Sequence, residues 1–180
     1  FNWKSAYGLV VDGRERMRQR DQEGALISYR AALETDPTYL PALAGAAELH
    51  IRKLDYDSAF LFTKRGLAID AYDPETNYLY GLVQRHRGRP FDAKDGFGIA
   101  SRSVTYRTAA LVQLAEMAIE DNQWADAAEY ALRASQTDAA NIPSLQLLAV
   151  LARQAGDTAS AVAHLRRIDA LDPLSHFVRF

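Results

Sequence analysis

Histidine side chains are the groups in this sequence best suited to acid–base or metal chemistry near neutral pH. There are four of them, at positions 50, 86, 164 and 176. They lie too far apart for the ligand spacing of a metal site, and Leu54 follows His50 at i+4 where a second ligand would be needed. We therefore interpret His50 as a core or half-buried residue. The chain contains no cysteine, which excludes thiolate catalysis, disulfides and cysteine-based metal sites.

The remaining reactive residue types form no catalytic arrangement in the sequence. The carboxylates are scattered, no serine or threonine lies in a nucleophile elbow, and no Walker A motif occurs. The run Gly96-Phe97-Gly98 lacks the preceding strand and the third glycine of a dinucleotide-binding loop. The sequence therefore predicts a protein that is not an enzyme, with no catalytic residue, no cofactor and no metal. An active site assembled from distant residues is the alternative that the sequence leaves open.

Two arginine-rich segments raise the question of anion binding. The first contains Arg14, Arg16, Arg18 and Arg20, and the second is the run 85–89. Either could bind phosphate, but cations at the C-terminal end of a solvated helix are the simpler interpretation. A formal net charge of −2 argues against binding to nucleic acid or to a membrane surface, and no apolar run reaches the roughly 18 residues of a membrane span. The predicted partner is a protein or peptide, with no nucleic acid and no membrane.

A period of 34 residues orders the elements that carry these side chains. We count repeats from Ala6, so that later repeats begin at Leu40, Pro74, Thr108 and Ile142. The eighth position then holds Gly13, Ala47, Gly81, Ala115 and Ala149. The twentieth holds Ala25, Ala59, Ala93, Ala127 and Ala161. The twenty-seventh holds Ala32, Gly66, Ala100, Ala134 and Ile168, and aspartate recurs at the thirty-first as Asp36, Asp70, Asp138 and Asp172. A helix–turn–helix repeat has this period.

The small residues that recur at the eighth and twentieth positions have a steric explanation. Two antiparallel helices that cross about 9 Å apart need small side chains at the crossing, because larger ones would hold the backbones apart. The small side chains at the eighth and twentieth positions are suited to such a crossing in each helix pair. Larger residues at the fourth and twenty-fourth positions, such as Leu9 and Tyr29, are predicted to pack around it.

The stretch 21–37, DQEGALISYRAALETDP, resembles the second half of a tetratricopeptide repeat (TPR). The resemblance extends over residues 6–175, with Gly88 and Gly156 in the turns between helices and Pro37 and Pro173 after the second helices. It implies an all-α fold, an α-solenoid with a right-handed superhelix of five 34-residue helix–turn–helix repeats. The chain would be a single array over 1–180, with repeats 6–39, 40–73, 74–107, 108–141 and 142–175. Helices are expected near 6–19, 22–35, 40–53, 56–70, 74–87, 90–102, 108–121, 124–136, 142–154 and 158–171.

Three details of the repeats carry their own expectations. Gly96 and Gly98 lie within one predicted helix, which indicates either a bend or a very close packing partner. Trp124 lies where the resemblance implies an aromatic residue packed on the neighbouring helix. Residues 176–180 are predicted to begin a truncated capping helix, in which Leu174, Phe177 and Phe180 cover the last repeat. We interpret the sequence as part of a longer protein that can self-associate through exposed solenoid ends.

The resemblance also implies where a ligand would bind. In TPR arrays the first helix of each repeat lines a concave groove. In this chain the corresponding inward positions combine an apolar floor with charges that alternate in sign between repeats. The candidate peptide-binding residues are Val10, Arg14, Glu48, Ile51, Tyr78, Leu82, Arg85, Val112, Glu116, Val150 and Arg153. The clamp with which co-chaperone TPRs grip a C-terminal carboxylate is missing, because Gly45 and Glu75 stand at two of its positions.

Two classes of function follow from the resemblance. The first is a non-catalytic scaffold that binds a protein or peptide in the concave groove. The second is an intramolecular module that packs on an enzyme domain of the same polypeptide. Tyr72-Asp73-Pro74, the run 93–97 and the run 172–177 look similar to repeats in large bacterial proteins with a sandwich domain that resembles carbohydrate-active enzymes. The compartment stays open, with the cytoplasm favoured because this sequence contains no signal or transmembrane segment.

Overall fold

The computed structural model describes residues 2–179, and the chain divides into two compact units, Phe1–Ile99 and Ala100–Phe180. We call them the N-terminal unit and the C-terminal unit. The described residues form ten α-helices and no strand, which confirms the predicted all-α class. The N-terminal unit contains α1 Ala6–Arg18, α2 Gln22–Thr35, α3 Leu40–Arg52, α4 Tyr56–Ile69, α5 Pro74–His86 and all but the last residue of α6 Pro90–Ala100. The C-terminal unit contains α7 Arg107–Glu120, α8 Trp124–Thr137, α9 Ile142–Gln154 and α10 Thr158–Leu171.

The observed helix ends agree closely with the expected ones. The largest difference is at α6, which ends at Ala100 rather than at residue 102. The following segment contains Ser103, Val104 and Thr105, which are poor helix formers. The division into five repeats of 34 residues stays our interpretation of the sequence.

Helices that are neighbours in sequence pack on one another within each unit. In the N-terminal unit α1 packs on α2 and α3 on α4, and α3 also contacts α1, α2 and α5. In the C-terminal unit α7 packs on α8 and α9 on α10, and α9 also contacts α7 and α8. The small residues Ala59 and Ala127 are completely buried, as expected for positions where helices cross. Leu43 and Leu49 in the N-terminal unit and Leu151 in the C-terminal unit belong to the surrounding apolar cores.

The turn between the two helices of each pair contains one residue in the left-handed backbone region. These residues are Arg20, Leu54, Gly88, Asn122 and Gly156, with φ between 58° and 77°. They lie 34 positions apart. Glycine and asparagine adopt this conformation readily, whereas arginine and leucine do so at a cost in free energy.

The aspartates that recur at the thirty-first position form the turn that follows the second helix of a helix pair. The side chains of Asp36, Asp70, Asp138 and Asp172 each accept a hydrogen bond from the backbone N–H two residues later, at distances of 2.8–3.1 Å. Val104 occupies the corresponding position in the third repeat and has no acceptor atom. There the Arg107 side chain donates instead to the carbonyl oxygens of Ser101 and Arg102, each at 3.2 Å.

The structure settles the question about the two glycines of α6. A methyl group on Gly96 would lie 2.8 Å from the carbonyl oxygen of Asn77, so the backbones of α5 and α6 approach closely there. Nothing lies within 4 Å of the corresponding point on Gly98. Trp124 is 38% exposed, so it is not a fully buried anchor.

The segment after α10 forms a short 3₁₀ helix, His176–Arg179, that contacts α10. Phe177 is partly exposed and Leu174 is largely exposed. Phe180, the third member of the predicted covering stripe, lies outside the described residues. Of the helices in residues 2–179, none combines the length and the apolar character that crossing a membrane requires.

Candidate binding surface

A pocket of about 250 Å³ opens on the face of the N-terminal unit that α1, α3 and α5 form. Its base is the side chain of Tyr29, which reaches there from α2. The other lining residues are Arg14, Met17, Arg18, Pro41, Gly45, Glu48, Arg52 and Glu75. Two of the predicted groove residues, Arg14 and Glu48, therefore line one site with a tyrosine that the sequence analysis assigned only to packing.

Two glycines allow the Tyr29 ring to reach this position. A methyl group on Gly13 of α1 would lie 2.5 Å from ring atom Cε1, and one on Gly45 of α3 would lie 2.7 Å from Cζ. Any side chain at either position would collide with the ring, because carbon atoms need about 3.5–4.0 Å. The ring is thus fixed between two first helices, and only 2% of the residue is exposed.

The charges around the pocket act on the Tyr29 hydroxyl. Burial raises its pKa, the carboxylates of Glu48 and Glu75 raise it as well, and the Arg14 guanidinium opposes them. The hydroxyl therefore stays protonated at neutral pH and can donate a hydrogen bond. Glu48 pairs with Arg52 at 2.8 Å. Arg14 forms no ion pair or hydrogen bond with any residue in the described range, 2–179.

Further predicted groove residues of the N-terminal unit lie on α3 and α5. Ile51 and Leu82 are partly buried against a cluster that contains Leu79. The ring of Tyr78 packs on Phe97 with centroids 5.8 Å apart, and its side chain is half-buried. Arg85 is also half-buried. These side chains keep an accessible edge and can contact a ligand.

Val10 is placed differently from these residues. It belongs to the core of the N-terminal unit and is 2% exposed. A bound peptide would have to displace its neighbours to reach it. The register from the resemblance fixes the helix face but does not distinguish a side chain on the surface from one wedged between adjacent helices.

The predicted residues of the C-terminal unit also fall into two groups. Val112 is 7% exposed and thus nearly inaccessible, while Glu116 is half-buried and accepts a hydrogen bond from Gln113 at 3.3 Å. Val150 and Arg153 are exposed and line a cavity of about 500 Å³ with Leu165 and Phe177. This cavity lies between α9, α10 and the 3₁₀ helix.

The sequence analysis missed the roles of Tyr29 and Gly45 in this surface. Its only signal was the presence of glycine on two successive first helices in a chain with a bulky Tyr29 between them. Neither glycine is in a conformation that requires glycine, so the reason for both is the space that the ring occupies. No group of three or more metal-ligating side chains comes together among residues 2–179.

No known protein-family model matches this chain, and no curated protein matches it in sequence. Solved structures do match it. MamA from Desulfovibrio magneticus RS-1 has a TM-score of 0.76 at 16% identity, covering 95% of this chain and 97% of that chain. YrrB, described as a TPR protein with an unusual peptide-binding site, has a TM-score of 0.70 at 18% identity, covering 99% and 92%.

TTC0263, described as a thermophilic TPR protein in Thermus thermophilus, has a TM-score of 0.74 at 15% identity, covering 97% of this chain and 95% of that chain. Identities this low establish a common fold and leave the ligand open. The paired helices, the recurrent left-handed turns and these similarities lead to one conclusion about the fold. The chain has the tetratricopeptide-repeat fold.

Proposed function

We propose that this chain is a non-catalytic scaffold that binds a segment of another protein on the α1–α3–α5 face of its N-terminal unit. The observation that carries the proposal is the pocket over Tyr29, where a fixed hydroxyl lies close to charges of both signs. A rigid aromatic base with a few polar groups around it is typical of peptide-binding sites. The description of YrrB as peptide-binding supports the same class of ligand in a protein of this fold.

The chemistry of the surface defines the ligand. Arg14 suits an acidic side chain, since it has no partner among the described residues. Glu48 suits a basic side chain or a backbone N–H. Its pair with Arg52 is partly exposed, and such pairs contribute only about 0–1 kcal/mol, so a ligand can replace it. Apolar side chains of the ligand would pack on Ile51, Leu82 and Tyr78.

The C-terminal unit offers a smaller contact surface of the same kind. Val150 and Arg153 present an apolar and a cationic group beside one cavity, and Glu116 adds an acidic group in the same unit. We include them as additional contacts for a protein partner. Neither the contacts nor the comparisons favour an intramolecular module that packs on an enzyme domain.

A peptide-display selection tests this function. A random peptide library would first be depleted on the Arg14→Glu/Tyr78→Ala variant and then selected on the wild-type chain. We expect enriched peptides that contain charged and large apolar residues. Their affinity should fall about tenfold with Arg14→Glu, a loss of about 1.4 kcal/mol.

The matched controls are Arg166→Glu on α10 and Tyr72→Ala in the exposed loop before α5, which should leave the affinity unchanged. Circular dichroism would verify that every variant is folded. The proposal fails if depletion leaves no enriched peptides, or if the control variants weaken binding as much as Arg14→Glu does.

A further inference from the structure

A second groove lies in the N-terminal unit, on the face formed by α2 and α4. Its volume is about 570 Å³. The lining residues are Arg30, His50, Ser58, Leu61, Phe62, Lys64, Arg65 and Ala68. With the exception of His50 from α3, all belong to the second helices, so this groove is separate from the pocket over Tyr29.

Part of the lining of this α2–α4 groove is apolar. Leu61 is 62% exposed, although it is a large aliphatic residue in the middle of a helix. Phe62 lies beside it, half-buried, with its ring stacked on His50 at a centroid distance of 5.5 Å. An apolar lining of this kind can accept a large side chain from a partner.

The rim of the groove is cationic. Three basic residues, Arg30, Lys64 and Arg65, line it, and no aspartate or glutamate does. Arg65 is fixed by a hydrogen bond from its guanidinium to the Pro37 carbonyl oxygen at 3.2 Å. Arg30 has no hydrogen bond or ion pair with any of residues 2–179. This concentration of positive charge occurs in a chain with a net charge of −2, so it is a local property of the groove.

The base of the groove contains an unused hydrogen-bond acceptor. Hydrogen bonds from Ser58, and a weaker effect of His50, hold the pKa of Asp55 below its ordinary value. The carboxylate is therefore ionised and accepts from Nδ1 of His50 at 2.9 Å. In the neutral tautomer in which Nδ1 donates to Asp55, Nε2 of His50 is the acceptor nitrogen, and this atom is buried without a hydrogen-bond partner among the described residues. Such a group is satisfied when a donor such as a peptide N–H approaches it.

We propose that the α2–α4 groove binds an acidic segment of a partner protein that carries a large apolar side chain. The apolar side chain packs on Leu61 and Phe62, and neighbouring carboxylates pair with Arg30 and Lys64. Charge complementarity selects an acidic ligand, because a basic one would face three cations and no carboxylate among the lining residues. The recessed shape favours a peptide over an anionic membrane, since a flat bilayer surface cannot enter a groove between two helices.

The test is a peptide-display selection with its own depletion variant, Arg30→Glu/Leu61→Ser. Both substitutions replace exposed side chains, so the variant should keep the fold, and circular dichroism would verify this. We expect peptides that survive depletion and then bind the wild type to be acidic and to contain leucine or an aromatic residue. Their affinity should fall about tenfold with Arg30→Glu and also with Leu61→Ser. It should also fall as salt is added.

Two controls separate this site from the one described above. Tyr78→Ala and Arg166→Glu should leave the affinity for these peptides unchanged. Basic or uncharged enriched peptides, or an absence of enrichment after depletion, would overturn the proposal. A second outcome would also overturn it. If no peptide is enriched, and the wild type sediments with phosphatidylserine vesicles while Arg30→Glu/Leu61→Ser does not, the surface binds membranes and not a peptide.

Discussion

The ring of Tyr29 occupies the space that a side chain at Gly13 would need. The same relationship recurs in the third repeat, where a methyl group on Gly81 would lie 2.6 Å from Cε1 of Phe97. Where the eighth position is alanine, the twenty-fourth is a smaller side chain, in the pairs Ala47 with Thr63, Ala115 with Ala131 and Ala149 with Leu165. The size of each crossing is therefore set by a pair of residues and not by either one alone.

Gly13→Ala and Gly81→Ala are expected to destabilise the chain by about 1–3 kcal/mol, because the added methyl group overlaps an aromatic ring. Gly98→Ala is the matched control. It adds the same methyl group to a helix where nothing lies within 4 Å, so it should stabilise by up to about 1 kcal/mol through helix propensity. Urea denaturation measures all three.

A double-mutant cycle tests whether Gly13 and Tyr29 act as a pair. Tyr29→Thr should reduce the cost of Gly13→Ala, giving the combination that the second repeat has naturally. We expect a favourable coupling of about 1 kcal/mol. Strictly additive effects would show that the ring is not the cause of the overlap.

Ala59→Leu and Ala127→Leu are expected to destabilise by about 1–3 kcal/mol through overpacking. Both alanines are completely buried, whereas Ala128 on the same helix as Ala127 is exposed. Ala128→Leu should therefore change the melting temperature little. If Ala127→Leu and Ala128→Leu melt at the same temperature, the assignment of the twentieth position to the helix crossing is wrong.

Leu54→Asn is expected to stabilise the chain by up to about 1 kcal/mol, because leucine is strained at a positive φ and asparagine is not. Leu54 has a φ of 60° and is 72% exposed, so little packing is lost. Gly156→Ala is the opposite change at the equivalent turn, where φ is 77°, and should destabilise by about 1 kcal/mol. Thermal denaturation that ranks the two variants in reverse order would contradict the role of the left-handed turn.

Asp12→Asn is expected to destabilise the chain at neutral pH and to do so less in acid. The carboxylate accepts hydrogen bonds from Ser28 at 2.5 Å and Arg16 at 2.8 Å, and these bonds lower its pKa in the folded state. A lowered pKa contributes stability that is present above the unfolded-state pKa, near 3.8, and is lost as the pH falls through the folded-state value. The difference in unfolding free energy between wild type and variant should narrow over that range.

Ser28→Ala provides the control for the carboxylate. It removes the hydrogen bond that contributes most to the lowered pKa of Asp12. The effect of Asp12→Asn on the unfolding free energy should therefore depend less on pH when it is measured in the Ser28→Ala variant than in the wild type. Chemical denaturation at several pH values measures it. An unchanged pH dependence would assign the effect to Arg16 alone.

Self-association through the C-terminal unit is expected at high concentration. Phe177, which lines the cavity between α9 and α10, and Leu174 are both accessible, and exposed apolar patches promote association. Phe177→Ser should shift the sedimentation coefficient towards the monomer. Leu132→Ser, which removes another accessible apolar side chain on α8, should have no effect. A wild-type chain that stays monomeric would contradict this expectation.

The helices could be predicted closely because their ends depend on local signals. Asp36 forms its turn through the N–H two residues later, and Gly88 takes the left-handed turn, so each signal and its effect lie within a few residues. The pocket over Tyr29 depends instead on two glycines in different helices. Only the three-dimensional packing brings Gly13 and Gly45 to the same ring. The burial of Val10 likewise depends on three-dimensional packing and not on local sequence signals.

The turn around Val104 has a consequence for how the chain opens. At Asp36, Asp70, Asp138 and Asp172 the side-chain hydrogen bond that stabilises the turn lies within the turn itself. It can therefore persist when the next helix frays. At Val104 the side-chain hydrogen bonds to the turn come from Arg107, the first residue of α7. Fraying of the α7 N-terminus therefore breaks these two hydrogen bonds as well. We expect amide exchange and cleavage by trypsin in the turn to rise together with opening of the first turn of α7.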